Sequence, residues 1–246
     1  GNGFRAPSAE QISSSYTGST YEYVPNSNLT AEKVFAKELG AKGKIGNSKF
    51  SIAYFQNEYE DFLYENSTET GTSPIATTTQ WQNATTAELS GVEVRWISEM
   101  AKGLDVEFGF VHHTGQQVTN GASSPVMSIQ PDRFKLGAKY SSGSFISELS
   151  VVHTNKKKSD EVLPDYTNRG STYTYYKTAA NTVVNLRGSY KPNHAITIAA
   201  GINNLTDQKY IDWANVSGLS GRRGSSLSDF YTSPGRNFYL NLNYAF

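Results

Sequence analysis

Apolar and polar residues alternate with a period of two along most of this chain, and no stretch keeps the 3.6-residue period of an amphipathic helix. In "KFSIAYF" the residues Phe50, Ile52 and Tyr54 share a face. Val92, Val94 and Trp96 oppose Glu93 and Arg95. Leu104, Val106, Phe108 and Phe110 oppose Asp105 and Glu107, and Phe134, Leu136, Ala138 and Tyr140 oppose Lys135 and Lys139. The same pattern runs through "VNLRGSY", "AITIAAGI" and the final "NFYLNLNYAF".

These stretches predict strands over about 31–45, 49–63, 88–100, 104–116, 131–141, 144–156, 181–191, 195–207 and 235–246, with a stub at 1–5. Their connections alternate in length. Short turns fall at 46–48, 101–103, 141–143 and 191–194, and long polar loops around 64–87, 117–130, 157–180 and 208–234. A soluble sandwich would also alternate, with its apolar face inward. Two features favour a transmembrane barrel: tight turns at one end with long loops at the other, and strands that reach the roughly 9–11 residues of a bilayer crossing. The expected fold class is therefore all-β, a transmembrane antiparallel β-barrel.

Composition sharpens this picture. Tyr 16, Phe 12 and Trp 3 make 13% of the chain, which suits surface at a water–lipid boundary. Lys+Arg 22 cancels Asp+Glu 22, so the phosphate-neutralising excess of a nucleic-acid binder is missing. Without cysteine there is neither a disulfide framework nor a thiolate metal site. Mean hydropathy is −0.51, and no run approaches the length of a membrane helix.

Nine strands and a stub would leave two sheet edges in hydrocarbon. Each unpaired backbone group there costs several kcal/mol, so about four or five per edge place the penalty on the order of tens of kcal/mol. The expectation is a C-terminal portion, about ten strand segments over 1–246, of a larger barrel whose partner strands lie upstream or in another chain. "GNGFRAPSAEQ" lacks the features of a secretory signal, which fits a missing N-terminal portion. Phe238, Leu240, Leu242, Tyr244 and Phe246 form an aromatic-ended stripe that resembles the signal read by outer-membrane assembly machinery, and Phe246 is expected to be the native C-terminus.

Phe4-Arg5-Ala6-Pro7 resembles the FRAP box of TonB-dependent outer-membrane receptors of the haem and haemoglobin branch. Asn26-Ser27-Asn28-Leu29 is similar to the companion Asn-Pro-Asn-Leu box, with Glu32, Glu38 and Gly40 following in the family's spacing. "YEDFL" (59–63), "SGVEV" (90–94), "SIQPDR" (128–133), "NNLTDQKYIDW" (203–213) and "SPGRNFYLNLNYAF" (233–246) continue the resemblance in family order. It implies a barrel of roughly 22 strands around an N-terminal plug that engages TonB. It also implies a bacterial outer-membrane location with the long loops extracellular, and gated transport of haem, possibly from haemoglobin or another carrier protein. Haem would be cargo, with no prosthetic group. A ferric-siderophore receptor is the alternative within the class; an outer-membrane barrel enzyme or a passive porin are alternatives outside it. No paired carboxylates, nucleophile motif or phosphate loop supports an enzyme.

One departure concerns the ligand. The loop between the two boxes usually carries a haem-ligating histidine in this family, and here it offers Tyr16, Tyr21 and Tyr23 instead. A tyrosinate can hold ferric haem. His112, His113 and His153 fall near the long-loop end of their strands as further candidate contacts, but His112 and His113, being adjacent, must point to opposite faces. The metal ligands stay unknown at this point. Lys156-Lys157-Lys158 and Arg222-Arg223 read as solvated loop charge that could also meet lipopolysaccharide or haem propionates.

Overall fold

In the computed structural model, which describes residues 1–69, 77–168, 170–222 and 229–245, strands dominate. In chain order they are β1 Asn2–Arg5, β2 Tyr16–Thr17, β3 Tyr21–Tyr23, β4 Glu32–Ile45, β5 Ser48–Glu69, β6 Thr77–Ala101, β7 Leu104–Thr119 and β8 Ala122–Pro125. There follow β9 Arg133–Ser142, β10 Phe145–Thr154, β11 Tyr166–Asn168, β12 Ser171–Tyr175, β13 Asn181–Tyr190, β14 Ile196–Asn203, β15 Ser220–Arg222 and β16 Asn237–Tyr244. A five-residue helix, α1 Ala9–Ser13, is capped by Ser8, whose hydroxyl accepts from Gln11 N while the Gln11 carboxamide oxygen accepts from Ser8 N.

Ten strands form one antiparallel meander in the order β1-β4-β5-β6-β7-β9-β10-β13-β14-β16, which are the nine strands and the stub expected from the pattern. β1 and β16 stand at the two ends of that order. Gly46 and Gly143, with φ 57 and 54, take the left-handed conformation that the two-residue hairpins need. In the fourth short turn the Asn193 carboxamide oxygen accepts from Ala195 N and Ile196 N.

Register carries the apolar rows from strand to strand. Leu39 pairs with Tyr54 and Tyr54 with Val92; Ile52 leads to Val94, Phe110 and Phe134. Leu149 leads to Leu186, Ile202 and Phe238. Among the described residues nothing covers this face: Leu39 is 79% and Leu240 72% exposed. The buried apolar residues among those described are Leu63, Ala84, Ala87, Val126, Val162, Trp213 and Val216, all outside the middle of the sheet. A sandwich would bury the apolar rows against a second sheet, and that reading fails here.

The opposite face is charged. Asp105, Lys139, Glu148 and Arg187 follow one another across four strands with alternating sign. Glu107 receives Arg95 Nε and Lys135 Nζ, each at 2.9 Å. Its exposed pairs contribute little individually; they mark a polar interior face.

The largest difference from expectation lies at 64–87. Instead of a loop, β5 and β6 run on as a 22- and a 25-residue strand, about twice the length of a crossing, into a projecting arm. Polar side chains such as Asn66, Ser67, Thr79 and Gln82 hide this from a hydrophobic count, yet their hydrogen bonds link the two strands. β8 likewise occupies part of the expected 117–130 loop, β11 and β12 part of 157–180, and β15 part of 208–234. β14 stops short of its expected end because Asn204 and Asp207 turn the chain with φ 52 and 55. Phe246 and Arg223 lie outside the described residues, so the assembly stripe is seen through Tyr244 only.

Candidate functional site

The long connections lie together at one end of the sheet, and the sequence boxes are what join them. Glu32, buried on β4, receives Arg5 Nη2 at 3.2 Å and Leu63 N at 3.0 Å, so Arg5 and Glu32 tie β1, β4 and the root of the arm together. Asn28 N donates to Asn26 Oδ1, and Asn26 Nδ2 to Trp81 O at 2.9 Å, pinning the 6–31 loop to the arm. Asn204 is 2% exposed and saturates its amide with Gln208 N, Gln208 O and Pro234 O. Asp207 Oδ1 accepts Arg236 N at 2.8 Å. Phe4, by contrast, is 80% exposed on the outermost strand, and Ala6, Pro7 and Leu29 continue the chain beside these clamps without a described polar contact of their own.

A second small core organises three of the loops. Trp213 and Val216 are buried with Val162, against Met127, Tyr175, Ile211 and Leu219. Met127 O accepts both Trp213 Nε1 at 2.9 Å and Ser217 Oγ at 2.8 Å. Lys157 was expected to be solvated and is instead 4% exposed, its ammonium donating to Ile129 O at 2.7 Å and lying 5.0 Å from the Trp213 ring centre. Burial pushes its pKa down, partly opposed by Glu161. Lys156 and Lys158 on either side are exposed, because only the middle residue of the triplet turns inward. The side chain of Arg222 and all of Arg223 fall outside what the structure describes.

The three loop tyrosines come together, for a reason that follows from strand geometry. Tyr16 pairs with Tyr23 across β2 and β3, Tyr21 lies two residues from Tyr23, and β3 adds to β6 in parallel with Tyr23 opposite Thr79. Trp81 is two residues from Thr79 and pairs with Glu65. Period two therefore puts Tyr16, Tyr21, Tyr23, Trp81 and Glu65 on one face. They line a 640 Å³ cavity with Glu10. It adjoins a second cavity of 610 Å³, reaching from Glu65 and Trp81 to Met127 and Tyr175. The Thr119 hydroxyl in that second cavity is buried without a hydrogen-bond partner among the described residues. Hydrogen bonding to Glu65, then burial, pushes the Tyr23 pKa up to about 12, and Tyr16 raises that of Tyr21. Both effects raise the cost of forming a phenolate at Tyr21 and Tyr23.

The histidines do not join this site. His112 pairs with Val92 on the apolar face, its Nδ1 2.6 Å from Asp132 Oδ1, and His153 pairs with Phe134 on the same face, its Nδ1 2.8 Å from Thr182 Oγ1. His113 alone of the three faces the charged side, 3.3 Å from Glu93 and edge-on to Phe55 at 5.2 Å. No group of three or more metal-ligating side chains occurs among the described residues. Glu65 and Trp81 carry no marker in the sequence; Trp213 closes the "NNLTDQKYIDW" stretch, but nothing in that stretch announces its burial.

Comparison with known proteins agrees with this architecture. Residues 1–205 match the family model described as TonB dependent receptor-like, beta-barrel. The chain is 24% identical over 275 residues to hemoglobin-binding protein A of Haemophilus influenzae, covering 99% of this chain and 27% of that protein. It is 26% identical over 274 residues to transferrin-binding protein A of Neisseria meningitidis serogroup B, covering 99% and 30%. The chain thus spans between a quarter and a third of the length of these curated relatives. Among solved structures, copper transporter OprC superposes with a TM-score of 0.79 at 18% identity, over 100% of this chain and 37% of that one. The ferric enterobactin receptor PfeA of Pseudomonas aeruginosa in complex with enterobactin superposes with 0.70 at 19%, over the same shares. Sheet order, turn geometry and the family match over five-sixths of the residues lead to one conclusion: this chain belongs to the TonB-dependent receptor β-barrel family.

Proposed function

We propose that this chain is the C-terminal barrel portion of an outer-membrane TonB-dependent receptor that takes up haem from a haem-carrying protein. The observation that carries the reading is the likeness, over nearly the whole chain, to proteins named for binding haemoglobin and haemoglobin–haptoglobin. The loop-end cavities fit capture at the side opposite the tight turns, which is the extracellular side in this reading. The apolar face meets outer-membrane lipid, and the strip from Phe238 to Tyr244 serves recognition by the assembly machinery. Upstream strands close the barrel on β1 and β16, and a plug in the upstream portion couples release to TonB. Function is binding and transport rather than catalysis.

The test is a titration of the complete receptor, upstream portion included, with haemin and with haemoglobin, alongside TonB-dependent growth on each as sole iron source. Binding of either, and growth that requires TonB, is expected. A receptor that binds a ferric siderophore and neither haem source belongs to the siderophore alternative. Changing Tyr16, Tyr21 and Tyr23 together to Phe is expected to leave the Soret spectrum of bound haem unaltered if the carrier protein is what these rings meet; a shifted spectrum would restore tyrosinate ligation.

A further inference from the structure

The cavity of Tyr16, Tyr21, Tyr23 and Trp81 combines aromatic walls with two carboxylates, Glu10 and Glu65, and among the described residues none of its lining is cationic. Tyr16 and Tyr21 are 57% and 43% exposed, with ring centres 5.6 Å apart; Tyr23 stands edge-on to Tyr21. Such exposed rings are unusual on a free surface and common where a protein partner seats. Haem carries propionates, so free haem would meet two like charges here. A lysine or arginine side chain meets the reverse: π faces for its cation and a carboxylate for its N–H groups. Tyr23 helps by donating its hydroxyl to Glu65, which aligns that carboxylate and leaves its remaining lone pairs to the cavity.

We infer that this cup binds a cationic side chain presented by the carrier protein, and so recognises the carrier rather than the haem. The inference rests on the carrier-protein reading above and names the surface that serves it. The clamps at Asn26 and at Asn83, whose amide bonds Thr30 O and Asp61 O, hold the 6–31 loop against the arm and pre-form the cup. Preorganisation of this kind lowers the ordering cost of binding.

The experiment uses the intact receptor in a zwitterionic detergent, wild type and E10Q/E65Q, titrated separately with haemoglobin, haemin and a pentaarginine peptide. Both carboxylates are exposed, so the amide variants are expected to fold. Haemoglobin and the peptide should each lose at least about tenfold in affinity, mostly through slower association and with a weaker salt dependence, while haemin binding is unchanged. Y16F should bind as wild type and Y16S should weaken both, because the ring face is what counts. A peptide that does not bind wild type, or binds E10Q/E65Q equally well, overturns the cup. Peptide loss with unaltered haemoglobin binding overturns the carrier as its occupant. A wild-type receptor that ignores both haemoglobin and haemin instead overturns the proposed function, and the peptide arm still decides the chemistry of the cup.

Discussion

Trp213→Ala is the sharpest perturbation of the loop platform. The indole is 2% exposed, donates to Met127 O and stacks beneath the Lys157 ammonium. Truncating a buried tryptophan costs about 3–5 kcal/mol. The barrel itself is not built on this residue, so the loss falls on the local equilibrium between closed and opened loops. At about 1.4 kcal/mol per tenfold, the opened fraction should rise roughly a hundredfold to a few thousandfold. Three consecutive lysines supply the assay. Amine acetylation of the intact receptor, read by mass spectrometry, should modify exposed Lys156 and Lys158 quickly and Lys157 slowly. In W213A the Lys157 rate should climb toward that of its neighbours, whose own rates stay put. W213F, which keeps most of the ring volume and loses one hydrogen bond worth about 1 kcal/mol, should raise it only several-fold. Equal labelling of all three lysines in the wild type, or a Lys157 rate indifferent to W213A, would refute the buried platform.

Lys157 also predicts a pH dependence of that platform. Below its lowered closed-state pKa it is charged in both states; from there up to about 10.4, the ordinary value, only the opened form keeps the proton. Platform stability should therefore rise with pH across that window, and Lys157→Met should flatten the profile in hydrogen-exchange measurements. Arg5→Ala should cost about 1–3 kcal/mol in denaturant titration of the folded receptor by stranding the Glu32 carboxylate, and adding Glu32→Gln should recover most of it. Gly91→Ala would bring a methyl to 2.5 Å from the His113 ring and 2.7 Å from the His112 backbone oxygen, costing about 1–3 kcal/mol; Gly109→Ala, whose nearest neighbour is 3.6 Å away, should leave the folded fraction on heat-modifiable gels unchanged. Leu240→Lys should destabilise by about 2–4 kcal/mol if that face meets the bilayer midplane, and Asn241→Lys on the opposite face should be tolerated.

Alternation alone determined the barrel strands, their number and the assignment of Glu93, Arg95, Glu107 and Lys135 to one face, because a strand fixes side-chain direction by parity. Adjacency likewise separated His112 from His113. The same parity carries further than that: His112 continues the row of Phe108 and Phe110, and His113 the row of Asp105 and Glu107, in agreement with the pairing of His112 with Val92. The arm escaped because its apolar residues, Tyr64, Trp81, Ala84 and Ala87, are scattered among polar ones and much of its pairing is carried by backbone and side-chain hydrogen bonds, which leave no hydrophobic signature. Motif boxes announced a family, yet their roles as clamps emerged only where Arg5 met Glu32, 27 residues on, and Asn204 met Pro234. Lys157 reads as solvent-facing in any sequence count; only a tryptophan brought from 213 could bury it. What the chain encodes locally is direction and period, whereas the cup and the platform depend on which distant strands and loops come to lie side by side.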